Sequence, residues 1–218
     1  MDTGHRLIET PATHLADLRY ESGCVALTFD DGPDPTWTGQ VLDLLEESGT
    51  PATFFVLGRM IRGHERILRR MVRLGCSVQV HAWEHVRMTD QPADRRRVDI
   101  DRTRRLIREV TGHDPSCVRP PEGRVDADVI DSIESAGLTP VFWSVHGRDW
   151  TRPGVAAIEG DVLAGLHDGA VVLLHDGGGD RSQTVAAVPR IIEAIKDRAL
   201  RPVSLSAPPR SHRDHPNG

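Results

Sequence analysis

Val25-Ala26-Leu27-Thr28-Phe29 runs straight into Asp30-Asp31-Gly32-Pro33. The first five residues are apolar or β-branched with no polar alternation. That is the pattern of a strand buried on both faces, as in a parallel sheet. Two adjacent carboxylates at the end of such a strand repel each other and lose hydration, so a cation or an arginine must compensate them if they are buried. An exposed Asp-Gly-Pro turn is the common alternative. The apolar approach argues against it.

Similar short runs recur at Ala52–Val56, Ser77–Val80, Cys117–Arg119, Thr139–Val145, Ala170–Leu174 and Pro202–Leu205. Helical patterns lie between them, at Thr36–Ser48, Met60–Leu74, Ala93–Thr111, Asp126–Ala136, Val155–Leu166 and Val185–Arg198. In Met60–Leu74 the apolar residues Ile61, Ile67, Leu68, Met71, Val72 and Leu74 recur at steps of three and four. Gly49, Gly75, Gly112 and Gly137 stand just past four of the helices, where a left-handed cap is expected. Strands alternating with helices predict an α/β domain with a parallel sheet over residues 21–205. Residues 1–20 read as an N-terminal extension and 206–218 as a flexible C-terminal tail.

The chain has 218 residues, a net charge of −5, and only four Trp, four Phe and one Tyr. Mild acidity and few aromatic platforms argue against nucleic acid as a partner. No apolar run is long enough for a membrane segment, and Met1–Gly23 contains no apolar signal core. The expected location is therefore cytoplasmic, or secreted if a signal has been removed. Cys24, Cys76 and Cys117 are sparse and odd in number, and read as small core residues. The Arg-dense stretch 93–111 spaces Arg95 and Asp99, and Arg97 and Asp101, four apart, as an exposed charged helix does.

The polar residues that remain fall at strand ends. Asp30 and Asp31 follow the first predicted strand, His81 and His85 the third, Arg119 the fourth, Asp149 the fifth and His175 the sixth. In parallel α/β architectures those ends share one face, and so many contributions converge more readily around a barrel than along an open sheet. If their segment is helical, His81 and His85 lie on one side at i and i+4. Two imidazoles and a carboxylate suit zinc or a neighbouring transition metal. A lone His-x-x-x-His is weak by itself; the company of an acidic pair strengthens it.

Taken together these segments resemble the polysaccharide deacetylases of the NodB-homology type, carbohydrate esterase family 4. Thr28-Phe29-Asp30-Asp31-Gly32-Pro33 is similar to the family's first motif and His81-Ala82-Trp83-Glu84-His85 to its second. Arg119-Pro120-Pro121-Glu122-Gly123 is similar to the third, Trp143 through Asp149-Trp150 to the fourth, and Leu173-Leu174-His175-Asp176 to the fifth. The resemblance implies a distorted (β/α) barrel of about seven parallel strands. It also implies a divalent metal on Asp31, His81 and His85, zinc first with cobalt or nickel as substitutes. Asp30 would be the base, held by Arg119, and His175 the acid. The backbone N–H of Glu122 would receive the oxyanion.

Two departures stand out. Glu122 replaces an aromatic that usually walls the sugar groove, and His146 is read at the position of the carboxylate that orients the acid histidine. Either Asp149 or Asp176 takes over, or the acid is tuned differently; Asp149 is the expected contributor. Trp150 is the expected groove-lining ring, and Arg181 reads first as solvated, with contact to substrate as the alternative. The implied activity is removal of acetyl groups from N-acetylated, or O-acetylated, oligo- or polysaccharide. The alternatives are a metal-free amide hydrolase of the same fold and a carbohydrate-binding pseudoenzyme. The oligomeric state is left open.

Overall fold

In the computed structural model, which describes residues 22–206, the opening stretch forms β1 (Cys24–Asp30), and all seven of its residues are buried. Both neighbours of β1 are parallel: β2 (Thr53–Leu57) on one side and β7 (Val171–His175) on the other. With β3 (Ser77–Ala82), β4 (Cys117–Val118), β5 (Thr139–Pro140) and β6 (Val145–His146), the order is β5-β4-β3-β2-β1-β7-β6. A last strand, β8 (Arg201–Pro202), pairs with the start of β1.

The order explains the barrel. β5 and β6 are the outermost strands, yet only residues 141–144 separate them in sequence. Five residue steps span at most roughly 17 Å, whereas seven flat strands would set the edges roughly 29 Å apart. The sheet must therefore curl until its edges approach, giving a distorted (β/α) barrel. The predicted single strand Thr139–Val145 is corrected here, because the chain changes partners within it. Val141 N–H bonds to Val118 O at 2.8 Å on one edge, and Ser144 N–H to Val171 O at 3.0 Å on the other.

The crossovers are α1 (Trp37–Ser48), α2 (Gly58–Ile61), α3 (Glu65–Arg73), α4 (Ala93–Thr111), α5 (Ala127–Ser135), α6 (Val155–Gly165) and α7 (Ser182–Asp197). The helix expected over Met60–Leu74 is two helices. Gly63, at φ +86°, has a backbone no right-handed helix admits. Its N–H turns to Glu65 Oε1 at 3.1 Å, at the start of α3. In α4 the expected Arg95–Asp99 pair forms at 3.3 Å. Arg96 is nevertheless buried, donating to the Met88 and Gln91 carbonyls, so the helix is not charged and solvated all round.

Alternation along β1 sorts its side chains. Val25, Leu27 and Phe29 join the large core shared with the helices, where Phe29 stacks on Phe54 with ring centroids 5.3 Å apart. Ala26 enters a second, smaller core with Phe55, Cys117, Val141 and Val171. Thr28 and Asp30 share the face of Ala26, which brings Asp30 to the carboxyl end of the strand above the inner cluster. Cys24, Cys76 and Cys117 are buried and form no disulfide, as expected of small core residues. No helix among the described residues is long and apolar enough to cross a membrane. The expectations for residues 1–20 and for nearly all of 206–218 lie outside the described residues.

Candidate active site

Residues from the ends of the first, second, third and seventh strands line one cavity of about 620 Å³, among them Asp30, Asp31, His81, His85, Trp150 and His175. That size is ordinary for a small-molecule site.

The carboxylate of Asp31 lies 3.4 Å from His81 Nε2 and 3.5 Å from His85 Nε2. These gaps are long for hydrogen bonds. A tetrahedral ion with bonds of about 2.0–2.1 Å separates its ligand atoms by roughly 3.3–3.4 Å, which matches. Asp31 Oδ1 is buried and accepts no hydrogen bond, as an atom reserved for a cation would be. His81 Nδ1–H donates to the Arg119 carbonyl at 2.7 Å, which fixes the tautomer and leaves the Nε2 lone pair facing Asp31. The three side chains thus fit a divalent cation. The two histidines do not sit on a helix, as the i, i+4 spacing allowed. His81 is in β3 and His85 in the turn after it, and their rings come within 5.3 Å.

Asp31 adopts a left-handed backbone, φ +77°, after the strand ends. Burial alone would raise its carboxyl, but the close imidazole of His81, with those of His175 and His85, brings it down to about 2. Glycines make this possible. A Cβ on Gly177 would stand 2.5 Å from the Asp31 carbonyl oxygen, and one on Gly178 would stand 2.6 Å from Asp31 Oδ2. Gly178 also has φ +74°. We expect Gly178→Ala to displace the Asp31 carboxylate and weaken metal affinity by about 10–100-fold, the usual effect of disturbing a ligand's support. Metal titration of the chelated variant measures this, with circular dichroism confirming the fold.

Asp30 is the other half of the acidic pair. Arg119, fully buried, donates from Nη1 to Asp30 Oδ1 at 2.8 Å and to Thr28 Oγ1 at 2.7 Å, and from Nη2 to the Phe142 carbonyl at 3.0 Å. Its guanidinium carbon lies 4.2 Å over the Phe55 ring. The arginine that the buried acidic pair demanded is therefore present. Asp30 Oδ2, 4.0 Å from His81 Nε2, is left to the cavity.

On the far side, Asp149 Oδ1 accepts from His175 Nδ1 at 2.9 Å, and Asp149 Oδ2 accepts from the His175 backbone N–H and Thr184 Oγ1, each at 2.8 Å. Burial works against a charged His175, but Asp149, with Asp30 and Asp31, outweighs it and raises the pKa. Asp149 is held lowered by the same contacts in spite of its burial. Of the two carboxylates weighed in place of His146, Asp149 is the one that contacts the His175 ring. His146 instead packs against Trp150, ring centroids 5.3 Å apart. Asp176 accepts from Thr38 Oγ1 at 2.6 Å, and burial pushes it up to about 7.

Trp150 is half exposed and meets His175 edge-on at 5.6 Å. Glu122 has φ +59°, and its carboxylate is held by Arg87 at 2.7 Å and Arg124 at 3.6 Å. The negative wall expected there is thus largely neutralised. Arg181, read as solvated, is buried and donates from Nε to the Gly177 carbonyl at 2.7 Å. Motif reading also passed over Thr28 and Thr184. The alternation of β1 could have found Thr28; nothing in the sequence marks Thr184.

Residues 18–141 match the family model for polysaccharide deacetylase. The chain is 38% identical over 184 residues to a peptidoglycan-N-acetylglucosamine deacetylase of Bacillus cereus, covering 84% of this chain and 86% of that one. It is 41% identical over 191 residues to a chitooligosaccharide deacetylase of Sinorhizobium fredii, covering 81% and 87%. The crystal structure of a peptidoglycan N-acetylglucosamine deacetylase superposes with a TM-score of 0.82 at 31% identity, over 87% of this chain and 89% of that one. Motif order, barrel and sequence similarity agree, and the chain belongs to the polysaccharide deacetylase family, carbohydrate esterase family 4.

Proposed function

We propose that the protein is a divalent-metal-dependent hydrolase that releases acetate from N-acetylglucosamine units of an oligo- or polysaccharide, with O-acetyl esters as a second substrate class. The observation that carries this is the Asp31–His81–His85 donor set at ligand spacing, in one cavity with a free Asp30 oxygen and with His175. Similarity to peptidoglycan and chitooligosaccharide deacetylases supports the sugar.

Asp31, His81 and His85 would hold the metal, zinc first, which when bound polarises an acyl oxygen and makes water a better acid. Asp30 takes the proton of the attacking water on Oδ2, while Arg119 keeps its other oxygen fixed. The N–H of Glu122 would receive the developing oxyanion, while Arg87 holds the Glu122 carboxylate. Through Nε2, His175 donates the proton that lets the amine depart. Its Nδ1–H rests on Asp149 throughout. Trp150 offers its exposed ring to the sugar.

The pH dependence follows from His175. It works as the protonated form, so activity falls as pH rises through its raised pKa. Asp149→Asn removes the charge that raises it, and the alkaline limb must move to lower pH. At neutral pH kcat should drop about tenfold or more, short of the about 10²–10⁴-fold expected for losing the acid altogether. A pH–rate profile of the two proteins decides; superimposable alkaline limbs would remove His175 from this role.

The function itself is tested by acetate release from chitooligosaccharides, peptidoglycan fragments, acetylated xylan and simple acetamides. Release from the first two, abolished by a chelator and restored by zinc or cobalt, is expected. Full turnover in chelated protein would favour the metal-free hydrolase. Oligosaccharide binding without acetate from any substrate would favour the pseudoenzyme.

A further inference from the structure

We propose that Asp176 is a positioning residue for the metal site: locked by Thr38 and pressed against Gly32, it holds the turn of residues 30–34 in the backbone shape that carries the Asp31 carboxylate to His81 and His85. This rests on the metal-dependent reading of that donor set and adds a support that lies outside the cavity.

Asp176 stands next to His175, yet the reaction leaves it unused. It does not line the cavity, and the His175 ring is held by Asp149. It is nevertheless fully buried, a costly place for a carboxyl that only fills space. Oδ2 accepts from Thr38 Oγ1 at 2.6 Å, whereas Oδ1 is buried with no hydrogen-bond partner among the described residues. The carboxyl lies directly on Gly32: a Cβ there would stand 2.7 Å from Oδ1 and nearer still to Oδ2. Only glycine fits beneath it.

Asp176 and Thr38 grip the turn at its start, middle and end. Asp176 N–H donates to the Asp30 carbonyl at 3.1 Å, where the turn begins. The Asp176 carboxyl covers Gly32 in the middle, while Leu57 N–H holds the Gly32 carbonyl at 2.9 Å. Thr38 Oγ1 accepts from Asp34 N–H at 2.7 Å, where the turn ends. Between these anchors Asp31 keeps its left-handed φ of +77°. A residue other than glycine stays in that conformation only where its surroundings over-determine it. Burial, with the charges of Asp31 and Asp30 nearby, favours the neutral form of Asp176. A neutral side chain of the same shape should therefore replace it.

The test is the zinc affinity of the chelated full chain, measured by competition with a chromophoric chelator, with circular dichroism confirming the fold. Asp176→Ala removes the wedge, and Thr38→Val keeps the volume but removes the hydroxyl. Each should weaken zinc binding by about 10–100-fold, the usual effect of disturbing a ligand's support. Asp176→Asn and Thr38→Ser should stay within a few-fold of the parent, because each keeps the hydrogen bond between the two side chains. Ile133→Ala, in the core under α5, should lower Tm and leave zinc affinity unchanged, which separates positioning from lost stability. If Asp176→Ala fails to fold, Thr38→Val decides. Parent-like affinity in Thr38→Val, or a loss in Asp176→Asn as large as that in Asp176→Ala, overturns the proposal and leaves the metal reading standing. A parent chain that binds no zinc overturns the metal reading, and the proposal with it.

Discussion

Asp30→Asn should give a folded protein that binds its metal normally and releases acetate about 10²–10⁴-fold more slowly, the usual worth of a general base. The substitution keeps the shape of the side chain, and an amide oxygen can still accept from Arg119 Nη1, 2.8 Å from the present Oδ1. What is lost is the second oxygen, the acceptor left toward the cavity. The metal donors Asp31, His81 and His85 are untouched, so binding and turnover separate. Metal content by atomic absorption and acetate release on one preparation read both. Activity within a few-fold of the parent would assign the base elsewhere.

His81→Ala should behave differently and lose both properties together. His81 supplies one of three donors and is buried, with its ring fixed by the Arg119 carbonyl. Alanine leaves two donors, one of them on the half-exposed His85, and orphans the carbonyl at the same time. No metal should survive desalting, and acetate release should fall to background. His64→Ala, whose Nδ1 bonds to the Met60 carbonyl away from the cavity, is the control and should change neither. A His81→Ala protein that retains metal and turnover would dismiss the ligand set.

Much of this is legible in sequence because burial and backbone geometry act locally. The unbroken apolar run of β1 demands neighbours on both faces, and it has them. Gly49 and Gly112 stop α1 and α4 because only a left-handed residue fits there. Adjacent carboxylates behind an apolar strand demand compensation, and Arg119 supplies it. The failures share one cause, competition decided by tertiary partners. Residues 139–145 read as one strand because nothing local shows that Val141 bonds to β4 and Ser144 to β7. His-x-x-x-His satisfies a helix on paper, while the sheet claims His81. Asp149 and His146 both stand near the strand end. Which one reaches His175 depends on the turn over Asp149–Thr151 and on Thr184, 35 residues further along. Arg181 looks solvated in a glycine-rich loop, because sequence does not show the loop folding back over its guanidinium.

The measurement that tests the account most directly is titration of the chelated protein with zinc while acetate release from a chitooligosaccharide is followed. Activity should rise from background and level off at one metal per chain, and the Asp30→Asn protein should bind the same equivalent without turnover. Undiminished acetate release before any zinc is added, or one equivalent bound with no acetate released, would contradict it.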